Sequence, residues 1–159
     1  MNSQDKAMEI RAGAAIRKQT GKLESGNVHI LEIEWFEAGT TLLRRKTDKG
    51  VLVIIKKNAL DIYSQEDVIY QSEEMIVIVR IRPCETIVIY PSNLGEAGKI
   101  CFEIGNQHIP IFIGENNEIM AAYDARLYDL LLSGNFNINL ESRILEPARM
   151  IRAYGNHLQ

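Results

Sequence analysis

The chain has 159 residues, 46% of them apolar and 25% charged, with a formal net charge of −3. That apolar content can bury one core or two small ones, and the charge leaves no basic surplus for a nucleic-acid footprint. No run reaches the roughly 18 apolar residues of a membrane-spanning helix, and the polar start, Met1 to Lys6, is read as no secretory signal.

The first half reads as strands. Met8 to Ile16 carries a weak strand signal, and Leu31, Ile33 and Trp35 alternate with Glu32 and Glu34 at the two-residue period of a half-buried strand. Thr40 to Leu43 and Val51 to Ile55 follow across the turn-like Thr47-Asp48-Lys49-Gly50. The basic run Arg44-Arg45-Lys46-x-x-Lys49 is diluted by Asp48 and is read as an exposed hairpin or strand edge. Asp61 to Tyr63, Asp67 to Tyr70 and Met75 to Ile81 continue the series. Many short strands without a convincing helix predict a small all-β domain, residues 1–82, as a barrel or two packed sheets.

After Arg82-Pro83 the pattern changes. Thr86 to Tyr90 is strand-like, and Ser92 or Asn93 can cap a helix with Leu94, Ala97, Ile100, Cys101 and Ile104 on one stripe. Gly105-Asn106 is expected to end it. Ile109 to Ile113 and Glu118 to Tyr123 read as strands, Arg126 to Leu132 as a helix, and Phe136 to Leu140 as a last strand. This is the βαββαβ order of a ferredoxin-like domain, residues 83–145, so the class is α+β. Two helices cover one face of such a sheet and leave the other for a partner or the first domain. Residues 141–159 lose periodicity, and 146–159 are expected to form a flexible C-terminal tail.

No catalytic arrangement is legible. G-x-S-x-G, H-E-x-x-H, C-x-x-C and a dinucleotide-type glycine loop are all absent, and no enzyme is expected. Cys84 and Cys101 are expected as thiols rather than a disulfide. Of the three histidines, His29 lies among strand residues and is read as structural or exposed. His108 follows a helix C-terminus, where an imidazolium is favoured by the dipole. Neutral imidazole there also suits nickel, zinc or copper. One imidazole binds weakly, but a two-fold axis would double it, and His157 could add a further ligand.

Lys99-Ile100-Cys101-Phe102-Glu103-Ile104-Gly105-Asn106-Gln107-His108 resembles the signature helix and turn of the urease accessory protein UreE family, which usually ends in G-N-R-H. Leu31-Glu32-Ile33-Glu34-Trp35 is similar to that family's L-x-x-E-W strand, and Leu43 to Thr47 to its next, basic strand. Gly50 to Ile55, Asp67 to Tyr70, Glu118-Ile119 and Tyr123-Asp124 match further family positions, so the resemblance spans about Val28 to Pro147.

The resemblance implies a cytoplasmic homodimer with a β-rich first domain, sometimes likened to a peptide-binding domain, and a ferredoxin-like second domain for metal binding and dimerisation. It implies a nickel metallochaperone that delivers Ni2+ to urease during active-site assembly, with Zn2+ or Cu2+ accepted in vitro. The metal would sit between the His108 side chains of two subunits, with His157 in reserve. The implied partners are a urease accessory GTPase and the urease apoprotein complex, with no nucleic acid and no membrane. Three departures stand out. Gln107 replaces the usual arginine, Glu103, Tyr123 and Ala125 occupy places where some members carry extra histidines, and the last residues hold only His157 where many have a histidine-rich tail. They keep open an alternative, a non-catalytic interaction module of the same accessory complex with no metal-carrier role.

Overall fold

The computed structural model describes residues 8–16 and 28–152. The chain divides into two compact units that meet at the Arg82–Pro83 bond. The first is β-rich and the second mixes one sheet with two helices, an α+β arrangement.

In the first unit, β1 (Glu9–Ala12), β4 (Leu52–Lys56) and β3 (Leu42–Lys46) form one sheet in the order β1-β4-β3. A second sheet has the order β2-β6-β5, from β2 (Val28–Ile33), β6 (Ile76–Ile81) and β5 (Val68–Gln71). The β1–β4 and β2–β6 pairs are parallel, and the β3–β4 and β5–β6 pairs antiparallel. Alternation puts Ile10, Leu31, Ile33, Val53, Ile55, Val77 and Val79 into one core and their neighbours into solvent, as the pleat requires. The turn after β3 uses Gly50 at φ 83°, a left-handed conformation that glycine adopts without steric cost.

Two expected strand segments are otherwise engaged. Trp35 leaves β2 and opens a 3-10 turn, Trp35–Glu37. Asp61 to Tyr63 is not a strand. The Asp61 side chain accepts the Asn58 N–H at 3.2 Å and closes a turn, while Tyr63 is buried and donates its hydroxyl to the Gly13 carbonyl. The Lys57 ammonium lies 4.7 Å from the Tyr63 ring centroid. Burial of an aromatic anchor therefore mimicked strand alternation in the sequence.

The second unit runs β7 (Cys84–Ile89), α1 (Leu94–Asn106), β8 (Ile111–Ile113), β9 (Ile119–Ala122), α2 (Ala125–Ser133) and β10 (Ile138–Arg143). A 3-10 turn, Pro147–Arg149, then leads into β11 (Met150–Ile151). The sheet order is β10-β7-β9-β8-β11, and every neighbouring pair is antiparallel. Ile87, Ile89, Ile111, Ile119 and Ala121 from the sheet share a core with Ile100 and Ile104 of α1 and Leu127 and Leu131 of α2.

Three details differ from expectation. Leu94 is 89% exposed rather than part of the buried stripe, because it sits at the first helical position, before α1 settles on the sheet. The last long strand starts at Ile138 and not at Phe136, whose ring packs against the core. A Cβ on Gly134 would lie 2.6 Å from that ring, so the turn needs a glycine. Residues 146–152, expected to begin a flexible tail, instead form the 3-10 turn and pair with β8 at the sheet edge. Leu145 just before them is 0% exposed. Residues 153–159 lie outside the described part.

Leu145→Ala should cost about 3 kcal/mol in denaturant unfolding, the range for truncating a buried leucine. Burial, with Asp61 and Asp67 nearby, pushes the Tyr63 phenol from 10.0 up to about 12. The folded state thus holds that proton more tightly than the unfolded chain. The associated stability is intact below about pH 10 and disappears as pH rises through about 12. Tyr63→Phe should abolish that alkaline slope in pH-dependent unfolding, at a neutral-pH cost of about 1 kcal/mol for the lost hydrogen bond.

Candidate metal centre

Helix α1 positions the candidate ligand. Asn93 caps its start, its side-chain oxygen accepting the Glu96 N–H at 2.9 Å. Glu96 in turn accepts the Ser92 hydroxyl at 2.6 Å, and the two bonds from Ser92 hold its carboxyl below the usual range. Ile100 and Ile104, one helical turn apart, are both fully buried against the sheet. That docking fixes the rotation of α1 about its axis.

The helix ends at Asn106, at the expected Gly105-Asn106 stop; Gln107 is the cap residue, and His108 follows in the left-handed region at φ 56°. The His108 N–H donates to the Gly105 carbonyl at 3.0 Å, one of the two bonds of a Schellman ending. Ile109 then returns to the core that holds Ile104, and Pro110 keeps Ile109 extended. His108 is exposed between these two anchored isoleucines. Glycine is the usual occupant of this conformation, and a side chain there costs about 1–2 kcal/mol.

Among the described residues the His108 imidazole makes no hydrogen bond, and no group of three His, Cys, Asp or Glu side chains is arranged to hold a metal ion. His29 belongs to the first unit, half-buried on β2 with Nδ1 3.4 Å from the Thr47 hydroxyl. His157 lies outside the described residues. Cys84 and Cys101 are not joined by a disulfide. Cys101 packs against the core and burial pushes its thiol up, which disfavours the thiolate a metal would need. Tyr123 donates its N–H to the Glu85 carbonyl and sets its ring 6.0 Å from that of Tyr128, and the Asp124 carboxylate accepts the Leu127 N–H at 2.9 Å and caps α2. One chain thus offers one exposed imidazole and does not gather the other predicted ligand residues around it.

Sequence reading overlooked the outward side of α1. Phe102, opposite the Ile100–Ile104 stripe, is 68% exposed. It lines a cavity of about 450 Å³ with Gly98 and Lys99 of the same helix and Leu130, Gly134 and Phe136 beyond α2's inner stripe. A helical projection carries the signal, since residue 102 lies on the face away from 100 and 104.

No family model matches the chain. Among curated proteins, the urease accessory protein UreE of Flavobacterium johnsoniae is 38% identical over 112 residues, covering 69% of this chain and 67% of its own. The urease accessory protein UreE of Acetivibrio thermocellus is 36% identical over 110 residues, 69% of this chain and 71% of its own. That of Halalkalibacterium halodurans is 30% identical over 139 residues and covers 86% and 91% respectively. With such identity over more than two thirds of its length, the chain belongs to the urease accessory protein UreE family, and it is an accessory protein rather than an enzyme.

Proposed function

We propose that this protein is a cytoplasmic nickel metallochaperone that carries Ni2+ to urease during assembly of the urease active site. His108 carries the proposal: an exposed imidazole stands where glycine would favour the helix ending. A residue kept at a conformational cost is a sign of function rather than of stability. Nickel is cargo here, bound by the neutral imidazole nitrogens of two His108 side chains across a two-fold axis. His157 or water completes the coordination. So few protein ligands suit a donor, which must release its ion. Zn2+ and Cu2+ accept the same donor.

The element order β7-α1-β8-β9-α2-β10 and the strand order β10-β7-β9-β8 support a ferredoxin-like second domain. The exposed Phe102 and the apolar cavity beside it support self-association through α1, the helix that ends at His108. No helix among the described residues is long and apolar enough to cross a membrane. The urease apoprotein complex and its accessory GTPase are the partners of this role, with the first domain available to hold one of them. A second role, as an interaction module that carries no metal, is favoured by the lack of a three-ligand cluster among the described residues.

Calorimetric nickel titration at neutral pH separates the two. The carrier binds about one ion per two chains, and His108→Ala abolishes binding. A protein that takes up no nickel is the interaction module. His108→Gly should likewise lose nickel while raising unfolding stability by about 0.5–1 kcal/mol, from relief of the left-handed strain less the entropy cost of glycine. Equal or lower stability in that variant would remove the argument that His108 is retained against the helix's own preference.

A further inference from the structure

The two edges of the second unit's sheet are built differently. At one edge β11 has two residues and is led in by Pro147 in a 3-10 turn, the short, proline-flanked form that blunts a sheet edge. At the other, β10 runs six residues in unbroken register with β7, from Ile138 opposite Ile89 to Arg143 opposite Cys84. It contains no proline, no glycine and no bulge. Among the described residues β7 is its only strand neighbour.

The register shows which backbone groups of β10 are left over. The Tyr90 N–H donates to the Asn137 carbonyl, and the Tyr123 N–H to the Glu85 carbonyl on the far side of β7. Bonding alternates along an antiparallel strand. Asn139, Glu141 and Arg143 therefore bond to β7, and the N–H and C=O groups of Ile138, Leu140 and Ser142 point away from the sheet. None of these groups meets another backbone group among the described residues. The side chains of the same three residues lie on the helix side, as do their cross-strand partners Ile89 and Ile87. Ile138 packs against the core there, while Leu140 is 42% exposed. On the opposite side the charges are paired within the sheet: Glu141 accepts the Tyr90 hydroxyl at 3.0 Å and the Arg143 Nε–H at 2.8 Å. The strand thus carries no net charge to repel another.

We propose that the β10 edge is an interface between two copies of this chain, which pair β10 against β10 about a two-fold axis at Leu140. This register sets Ile138 opposite Ser142 of the second copy and Leu140 opposite its own equivalent. All three free residues are then used, and about six main-chain hydrogen bonds form. The two Leu140 side chains cover each other. On the other face Glu141 lies opposite Asn139, whose amide can donate to a carboxylate, and Arg143 lies opposite Asn137. A two-fold axis at Glu141 would instead set two carboxylates face to face, and one at Asn139 would pair Ser142 with a residue outside β10. The edge is complementary to itself, which favours a second copy over an unrelated strand. His108 precedes β8, which β9 and β7 separate from β10. The interface is therefore distinct from any pairing of His108 side chains, and the proposal does not rest on nickel binding.

An edge-to-edge contact is small, so the pairing depends on concentration, with a Kd on the order of 100 µM. The test is sedimentation equilibrium of the full chain from about 10 µM to about 1 mM, beside Ser142→Pro and Leu140→Lys. Proline suits position 142 because that N–H bonds nothing within the chain and the strand is at an edge, and the exposed Leu140 can accept lysine. Thermal unfolding checks that both variants fold. Over this range the wild-type mean mass should rise about one and a half times more than that of either variant. The comparison with the variants removes any association through α1. Hydrogen exchange on the unaltered chain gives a second reading. The Ile138, Leu140 and Ser142 amides should exchange about fourfold more slowly at the higher concentration, while Asn139 and Glu141, already bonded to β7, change little. Equal mass gain in wild type and both variants overturns the proposal, as does no gain in any of them. Exchange at the three amides that is the same at both concentrations overturns it too, because any gain in mass then belongs to another surface.

Discussion

The docking of α1 on one face of the second unit's sheet governs the geometry of the candidate centre. Ile100 and Ile104 are removed from water completely, each contributing about 1.5–3 kcal/mol. Ile109 must re-enter the same core almost at once. The chain can reverse that sharply only by passing a residue through the left-handed region, and core register places that residue at 108. The imidazole is therefore set by apolar packing on both sides of it and needs no polar contact of its own to be held.

This helix is not built for intrinsic stability. Gly95, Gly98 and Gly105 lie within α1, and a glycine in a helix interior is about 1 kcal/mol less favourable than alanine. On a helical projection all three fall near Phe102, on the face turned from the core. Nothing lies within 4 Å of a Cβ built on Gly98 or Gly105. The low outer surface allows close approach from outside, and core burial supplies the stability that propensity does not. The same division appears in the β1-β4-β3 sheet, where the inner residues hold the fold and the outer ones concentrate charge.

Much of this was legible in one dimension. The alternation of Leu31 and Ile33 marked β2, the change of pattern at Arg82-Pro83 marked the passage from β-rich to mixed structure, and Ser92-Asn93 was readable as a helix start. His108 stood out by its position after the helix. Failures had separate physical causes. Asp61-Ile62-Tyr63 has the composition of a strand, yet Tyr63 is buried through a loop. Residues 141–152 lack periodicity because β10 is an edge strand with Glu141 and Arg143 paired on its surface, and β11 has only two residues.

The sequence by itself determined the composition of both cores, the order of the elements, the sharp turn around His108 and the family likeness, since these depend on residue type and near-neighbour spacing. Tertiary structure alone decided that His108 rather than Gly105 takes the left-handed position, that Phe102 faces outward beside a cavity, and that residues 146–152 complete the sheet. It also decided that Arg11, Arg44, Lys46 and Lys56, remote from one another in the chain, share one face. Each of these follows from strand register and helix rotation, which are settled by contacts between distant segments and leave no local trace in the sequence.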